Sequence, residues 1–216
     1  MARTHRIRAA VRGLAALLVA GACTATQAHP GAHAVPKADG KPQAEAAPAP
    51  VEGTRDARSY FTDTLLLTQD GRSVRFYSDV LADRVVLINV VFTHCEDACP
   101  LITRKLKDVR DRLGARFGQS VHFVSLSIDP ERDSPQALKQ FARSQGADEP
   151  GWTFLTGPKA DVDRVLARLG QLSPTVQEHS TLLIAGNVGA KRWSKIRPDA
   201  PPAAIAERLR LLAGAP

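Results

Sequence analysis

Val85-Val86-Leu87-Ile88-Asn89-Val90-Val91-Phe92-Thr93-His94-Cys95-Glu96-Asp97-Ala98-Cys99-Pro100 carries an almost unbroken apolar block into two cysteines four positions apart. Residues 85–92 lack the polar alternation of a half-exposed strand and read as a strand buried on both faces. An amphipathic helical pattern follows, so the cysteines belong to a strand-to-helix turn. Unpaired N–H groups in a helix's first turn, and the positive end of its dipole, favour an anion there, and a thiolate is an anion. Both thiols are therefore expected to be acidic and reachable. If the helix already runs through the pair, the i, i+4 separation sets the Cβ atoms about 5–6 Å apart on one face, where the sulfurs can share a soft ion or close a disulfide.

Towards the N-terminus, residues 64–68 and 73–77 read as two short strands around the Asp70-Gly71 turn. Towards the C-terminus, Leu101, Ile102, Leu106, Val109, Leu113 and Phe117 recur at helical spacing until Gly118. A second buried strand spans residues 121–128. Asp133 or Ser134 suits an N-cap, with Pro135 at the first helical position of a helix running to Gly146. A strand over 152–156, a helix over 161–169, a strand over 180–185 just after His179, a turn into 191–196 and a closing helix over 203–213 complete the pattern. The order predicts an α/β fold: a mixed sheet flanked by helices on both faces, thioredoxin-like because the cysteine pair sits at the first strand-to-helix turn.

The chain has 216 residues, 44% of them hydrophobic, enough for one ordinary core plus tails. Residues 1–28 have the grammar of a secretory signal: Arg3, Arg6, Arg8 and Arg12, an apolar run over 14–22, then Thr26-Gln27-Ala28, after which cleavage is expected. That run is far shorter than the roughly 20 residues a spanning helix needs. Cys23 loosely resembles a lipidation site, so membrane attachment is expected only if Cys23 is lipidated or the N-terminal segment is retained. Residues 29–58 are Ala/Pro-rich and read as a disordered tether, with His29 and His33 as solvated filler. The folded domain is then 59–216, and the signal implies a periplasmic or cell-envelope location. Without the four leading arginines, the 29 basic residues fall to 25 against 22 acidic ones, a net charge of +3, which gives no reason to expect nucleic acid.

A purely structural disulfide between Cys95 and Cys99 would close a loop of a few residues and constrain little. A structural zinc site would usually need four protein ligands. Thiol oxidoreductases of the thioredoxin type carry two residues between their cysteines; the three here suit joint coordination of one ion. His179, at the start of a strand thought to lie parallel to the Cys95 strand, is the candidate third ligand. Two thiolates and an imidazole match Cu(I) and can still hold Cu(II). His94 competes with His179, although its direction off the chain opposes that of Cys95. His122 reads as a packed residue, and Met1 is the sole methionine. Asp129 and Asp133 read as turn and N-cap residues, with support of the metal ligands or partner docking as the alternative.

Four ordered motifs, Phe92-Thr93-His94-Cys95-Glu96-Asp97-Ala98-Cys99-Pro100, the segment from Ser127 to Pro135, Leu155-Thr156-Gly157 and Glu178-His179-Ser180, resemble the Sco/SenC family of copper-binding proteins over roughly residues 60–213. Glu96 stands where that family commonly has proline, and Glu178 where aspartate is usual. The resemblance implies a thioredoxin-like fold with an additional N-terminal β-hairpin and copper held by Cys95, Cys99 and His179. It also implies delivery of copper to, or thiol maintenance of, the binuclear copper site of cytochrome c oxidase, whose copper-bearing subunit is the implied partner, unless another copper or thiol protein takes that place. The competing expectation is a thiol-disulfide oxidoreductase for exported proteins, with Cys95 and Cys99 as the catalytic, redox-active pair.

Overall fold

Our computed structural model describes residues 57–214, so the expected signal over 1–28, Cys23, His29, His33 and most of the expected tether lie outside the described residues. In chain order the elements are α1 (Ala57–Phe61), β1 (Leu65–Thr68), β2 (Ser73–Arg75), a wide π-helical turn (Phe76–Leu81), β3 (Val85–Val91), α2 (Ala98–Leu113), β4 (Val121–Ser127), α3 (Pro135–Ser144), β5 (Trp152–Thr156), α4 (Lys159–Leu169), β6 (Leu183–Asn187), β7 (Arg192–Ile196) and α5 (Pro202–Ala213). Every residue of β3 is buried, as its sequence predicts. The strand cannot leave either face in water, and it sits inside a seven-stranded sheet ordered β2-β1-β5-β4-β3-β6-β7.

The sheet is mixed: β3, β4 and β5 are parallel, whereas β1 joins β5, and β6 joins β3, antiparallel. Side chains from α2, α3 and α5 fill one face, and side chains from α1, the π-helical turn and α4 fill the other. Asn89 is polar in the middle of β3, yet it is paired: Ser125 Oγ donates to Asn89 Oδ1 at 2.8 Å and Trp152 Nε1 donates to Ser125 Oγ at 3.0 Å. The bonds run across β3, β4 and β5 and satisfy buried groups that would otherwise cost stability.

The expected N-terminal hairpin is β1 with β2, turned through Gly71 at φ 75°. Its second strand stops at Arg75 rather than at residue 77, because the fully buried Phe76 must turn into the core. Asp79 fixes that turn by accepting from the backbone N–H of Arg75 at 2.7 Å and pairing with its guanidinium. The short helix α1 is an addition to the sequence reading; five residues are too few to show a helical period.

Gly186 on β6 lies opposite Trp193 on β7, and a Cβ on it would come within 2.2 Å of the indole ring. The glycine is required by the ring stacked on it. Gly186→Ala should therefore destabilise the domain by roughly 1–3 kcal/mol through overpacking. The loss should shrink in a Trp193→Ala background, a coupling that urea unfolding of the double-mutant cycle would measure.

Candidate metal and thiol centre

The turn after β3 is built from its first residues. Phe92 C=O accepts the N–H of Cys95 at 3.1 Å, and α2 begins at Ala98, with no side-chain bond from its N-cap residue Asp97. Cys95 Sγ takes the capping role, accepting the first-turn N–H of Cys99 at 3.2 Å. Cys95 therefore precedes the helix instead of sharing its face with Cys99, but its sulfur is aimed at the helix N-terminus all the same.

Both cysteines are free thiols in unlike surroundings: Cys95 is half-buried and Cys99 is 1% exposed. Burial, then the hydrogen bond with Cys95, pushes the Cys99 thiol up to about 12. The expectation of two acidic, reachable thiols is thus wrong for Cys99. Its position on the stripe continued by Thr103, Leu106, Val109 and Leu113 turns it into the core, where a charge is disfavoured.

Asp133 is fully buried and is not the N-cap of α3; that place belongs to Ser134, whose side chain accepts from the N–H of Ala137. Asp133 Oδ1 accepts from Thr93 N–H at 3.0 Å and from Thr93 Oγ1 at 2.6 Å, while Oδ2 accepts from Ser127 Oγ at 2.6 Å. The carboxyl thereby fastens the β4–α3 loop to the residue two places before Cys95. Asp129 serves the same loop through its carbonyl, which accepts the N–H groups of Arg132 and Asp133. Thr93 and Ser127 stand in the quoted motifs without a role, because a hydroxyl two residues before a cysteine carries no signal of its partner.

His179 lies in the loop between α4 and β6, three residues ahead of Leu182. Here the strand expectation needs correction, because β6 runs antiparallel to β3, pairing Ile88 with Ile184 and Val85 with Asn187. This direction sets the residues before Leu183 beyond the end of β3, where Cys95 follows. The imidazole of His179 stands edge-on to the Phe92 ring, with centroids 5.4 Å apart. Nδ1 is 2.7 Å from the carbonyl of Val176, and since a carbonyl only accepts, Nδ1 carries a proton, so that in the neutral ring Nε2 is the nitrogen with the free lone pair. His94 is exposed beside Thr93 Oγ1, and His122 is half-buried on β4 with its pKa lowered mainly by burial. Among the described residues, no three His, Cys, Asp or Glu side chains are grouped closely enough to hold a metal ion. The structure brings the two thiols together at the start of α2 and leaves the imidazole of His179 against the Phe92 ring, apart from a closed three-ligand set.

The SCO1/SenC family model matches residues 52–210. The SCO1 protein homolog of Bacillus subtilis is 39% identical over 89 residues, 41% of this chain and 45% of that protein. The human mitochondrial SCO1 homolog is 33% identical over 81 residues, 37% of this chain and 26% of that protein. The matched part thus spans about half the length of the curated relatives, or less. Among solved structures, ScoI of Bradyrhizobium japonicum with copper bound is 25% identical with TM-score 0.57, covering 69% of this chain and 96% of that one. BsSco, described with a disulfide switch and as a member of the Sco family of cytochrome c oxidase assembly proteins, is 26% identical with TM-score 0.59, covering 70% and 92%.

Asp133→Ala should leave the Thr93 and Ser127 donors without their acceptor and cost roughly 2–4 kcal/mol, whereas Asp133→Asn, which keeps an oxygen for Thr93, should cost less. Urea unfolding of both variants checks the order. For Cys99 the folded pKa is raised, so its contribution to stability is complete below the ordinary value of 9.0 and is lost as pH rises towards about 12. Unfolding free energy should accordingly fall between about pH 9 and 11 more steeply in the wild type than in Cys99→Ala.

Proposed function

The chain belongs to the SCO1/SenC family, and from that premise we propose that it is an extracytoplasmic copper-binding protein that carries copper to, or keeps reduced the thiols of, the binuclear copper site of cytochrome c oxidase. In this reading residues 1–28 export the chain, residues 29–58 tether it, and the domain over 59–216 works at the cell envelope. Copper is cargo, taken up by the sulfurs of Cys95 and Cys99 and by Nε2 of His179. The observation that carries the reading is the bond from Nδ1 of His179 to Val176 C=O, which fixes the tautomer whose free nitrogen is a metal donor, on a ring beside the turn that holds Cys95. The donor chemistry fits: two thiols and an imidazole suit a soft cation that also tolerates nitrogen. The loop from Gln171 to Leu182 contains no helix or strand, so the histidine can approach the sulfurs without breaking the sheet.

A second reading is thiol-disulfide exchange, favoured by the proximity of two free thiols of which one is half-exposed. The Cys95 thiolate would attack a partner disulfide, forming a mixed disulfide and releasing one partner thiolate. Cys99, giving up its proton, would then attack Cys95 Sγ, closing the Cys95–Cys99 disulfide and releasing the second partner thiolate, so that two electrons pass to the partner.

Anaerobic Cu(I) titration followed by X-ray absorption separates the two. The copper reading expects one ion per chain with sulfur and nitrogen neighbours, retained in His94→Ala and weakened at least about tenfold in His179→Ala or either Cys→Ser variant. Equal binding by wild type and His179→Ala would remove the histidine from the site. A partner captured through Cys95 by a Cys99→Ser variant, independent of His179, would favour exchange.

A further inference from the structure

On the sheet face opposite the buried Cys99, and towards the end of β6–β7 remote from Cys95, α1, the C-terminal end of α4 and β7 enclose a cleft of about 540 Å³. Its size is that of a small-ligand site. The floor is aromatic. Trp193, stacked on Gly186, lies 4.9 Å from the ring of Phe61, and Tyr60 stands edge-on to Phe61 at 5.0 Å. The Tyr60 hydroxyl is already bonded to the carbonyl of Arg168, so the ring and not the hydroxyl faces a ligand.

The rim is cationic without being paired. On α4, Lys159 and Arg164 each meet an aspartate at 2.6 Å, whereas Arg168, one turn further on, has its guanidinium 5.5 Å from the centroid of Tyr60 and no carboxylate partner among the described residues. Lys191 and Lys195 also line the cleft, are exposed, and have no acidic partner among the described residues. Lys195 Nζ lies over Gly170, the residue that ends α4, which sets it close to Arg168 along the chain. Three cations with no carboxylate partner among the described residues, one of them also over the Tyr60 ring, around an aromatic floor favour a ligand that is anionic at one end and apolar at the other. A neutral apolar ligand would not need the cations, and a purely ionic one would not need the rings.

We propose that this cleft binds a single-chain anionic lipid, its tail against Phe61 and Trp193 and its carboxylate or phosphate against Arg168, Lys191 and Lys195. The site is independent of the thiol centre. Lys191 opens the hairpin end that opposes Val85, the first residue of β3, while Cys95 follows the last. The other tryptophan, Trp152, is 2% exposed within the core, so Trp193 reports on the cleft.

The test titrates the full chain with dodecanoate and dodecyl phosphate below their micelle concentrations, with uncharged dodecyl maltoside as control, reading tryptophan emission and, separately, heat by calorimetry. Expected is saturable binding of one anion per chain, about tenfold or more weaker for the uncharged analogue and for Lys191→Glu/Lys195→Glu. The emission change should vanish in Trp193→Phe while the heat remains. Cys95→Ser should leave the affinity unchanged. Circular dichroism confirms that the charge-reversed variant, altered only at exposed positions, is folded. Equal affinity for the uncharged analogue, unaltered binding by the charge-reversed variant, or a response to phosphatidylglycerol vesicles with none to monomers would each overturn the proposal, the last by reducing it to adsorption on a membrane surface.

Discussion

Antiparallel pairing of β6 with β3 decides which distant parts of the chain share an edge. The register from Val85↔Asn187 to Ile88↔Ile184 means that the chain enters β6 near the end at which it leaves β3. His179 therefore meets Phe92 although 87 positions separate them in sequence. Had β6 run parallel in the same place, the residues before it would lie at the start of β3, about 20 Å away along a seven-residue strand. Phe92 is the joint: its carbonyl holds the Cys95 turn, and its ring supports the imidazole.

The two sides of that joint are held differently. On the thiol side, Asp133 binds Thr93 through two hydrogen bonds and Ser127 through one, locking the turn after β3 to the loop after β4. A buried carboxyl in this place needs such donors, because no cation among the described residues is paired with it. On the histidine side the hydrogen bonds are local: Thr175 Oγ1 with Glu178, Nδ1 of His179 with Val176 C=O, and Leu182 N–H with Ser180 Oγ. Such a segment can shift as a unit without disturbing sheet hydrogen bonds, and segments of that kind lie at the low-stability end of a fold.

Pattern made much of this legible. The largely apolar runs of β3 and β4, the Asp70-Gly71 hairpin and the proline-led start of α3 follow from local chemistry and were legible in it. The direction of β6 was not, because hydrophobic pattern says that a strand is buried and nothing about which way its neighbour runs. For Asp133 the sequence offers an N-cap or, as the alternative, support of the ligands; its actual partners, the hydroxyls of Thr93 and Ser127, follow only from the fold. The burial of Cys99 is legible in the pattern as well, since Cys99, Thr103, Leu106 and Leu113 fall on one helical stripe, whereas the pairing of two cysteines by itself says nothing of their exposure.

The unequal burial of the two sulfurs bears on how either proposed chemistry would begin. Cys99 is covered, and its protonated form is the one its surroundings favour, so an incoming ion or disulfide meets Cys95 first. The N–H of Cys99 already points at Cys95 Sγ, placing the second residue of α2 directly behind the first point of attack. From there the paths divide by what arrives next. In the copper proposal the imidazole of the α4–β6 loop would complete a site for a soft cation, whereas in the exchange proposal the second thiol, losing its proton, would resolve a mixed disulfide with no use for the imidazole. In either proposal Cys95 would take the first step, and the outcome would turn on whether the imidazole or the buried thiol reaches it next.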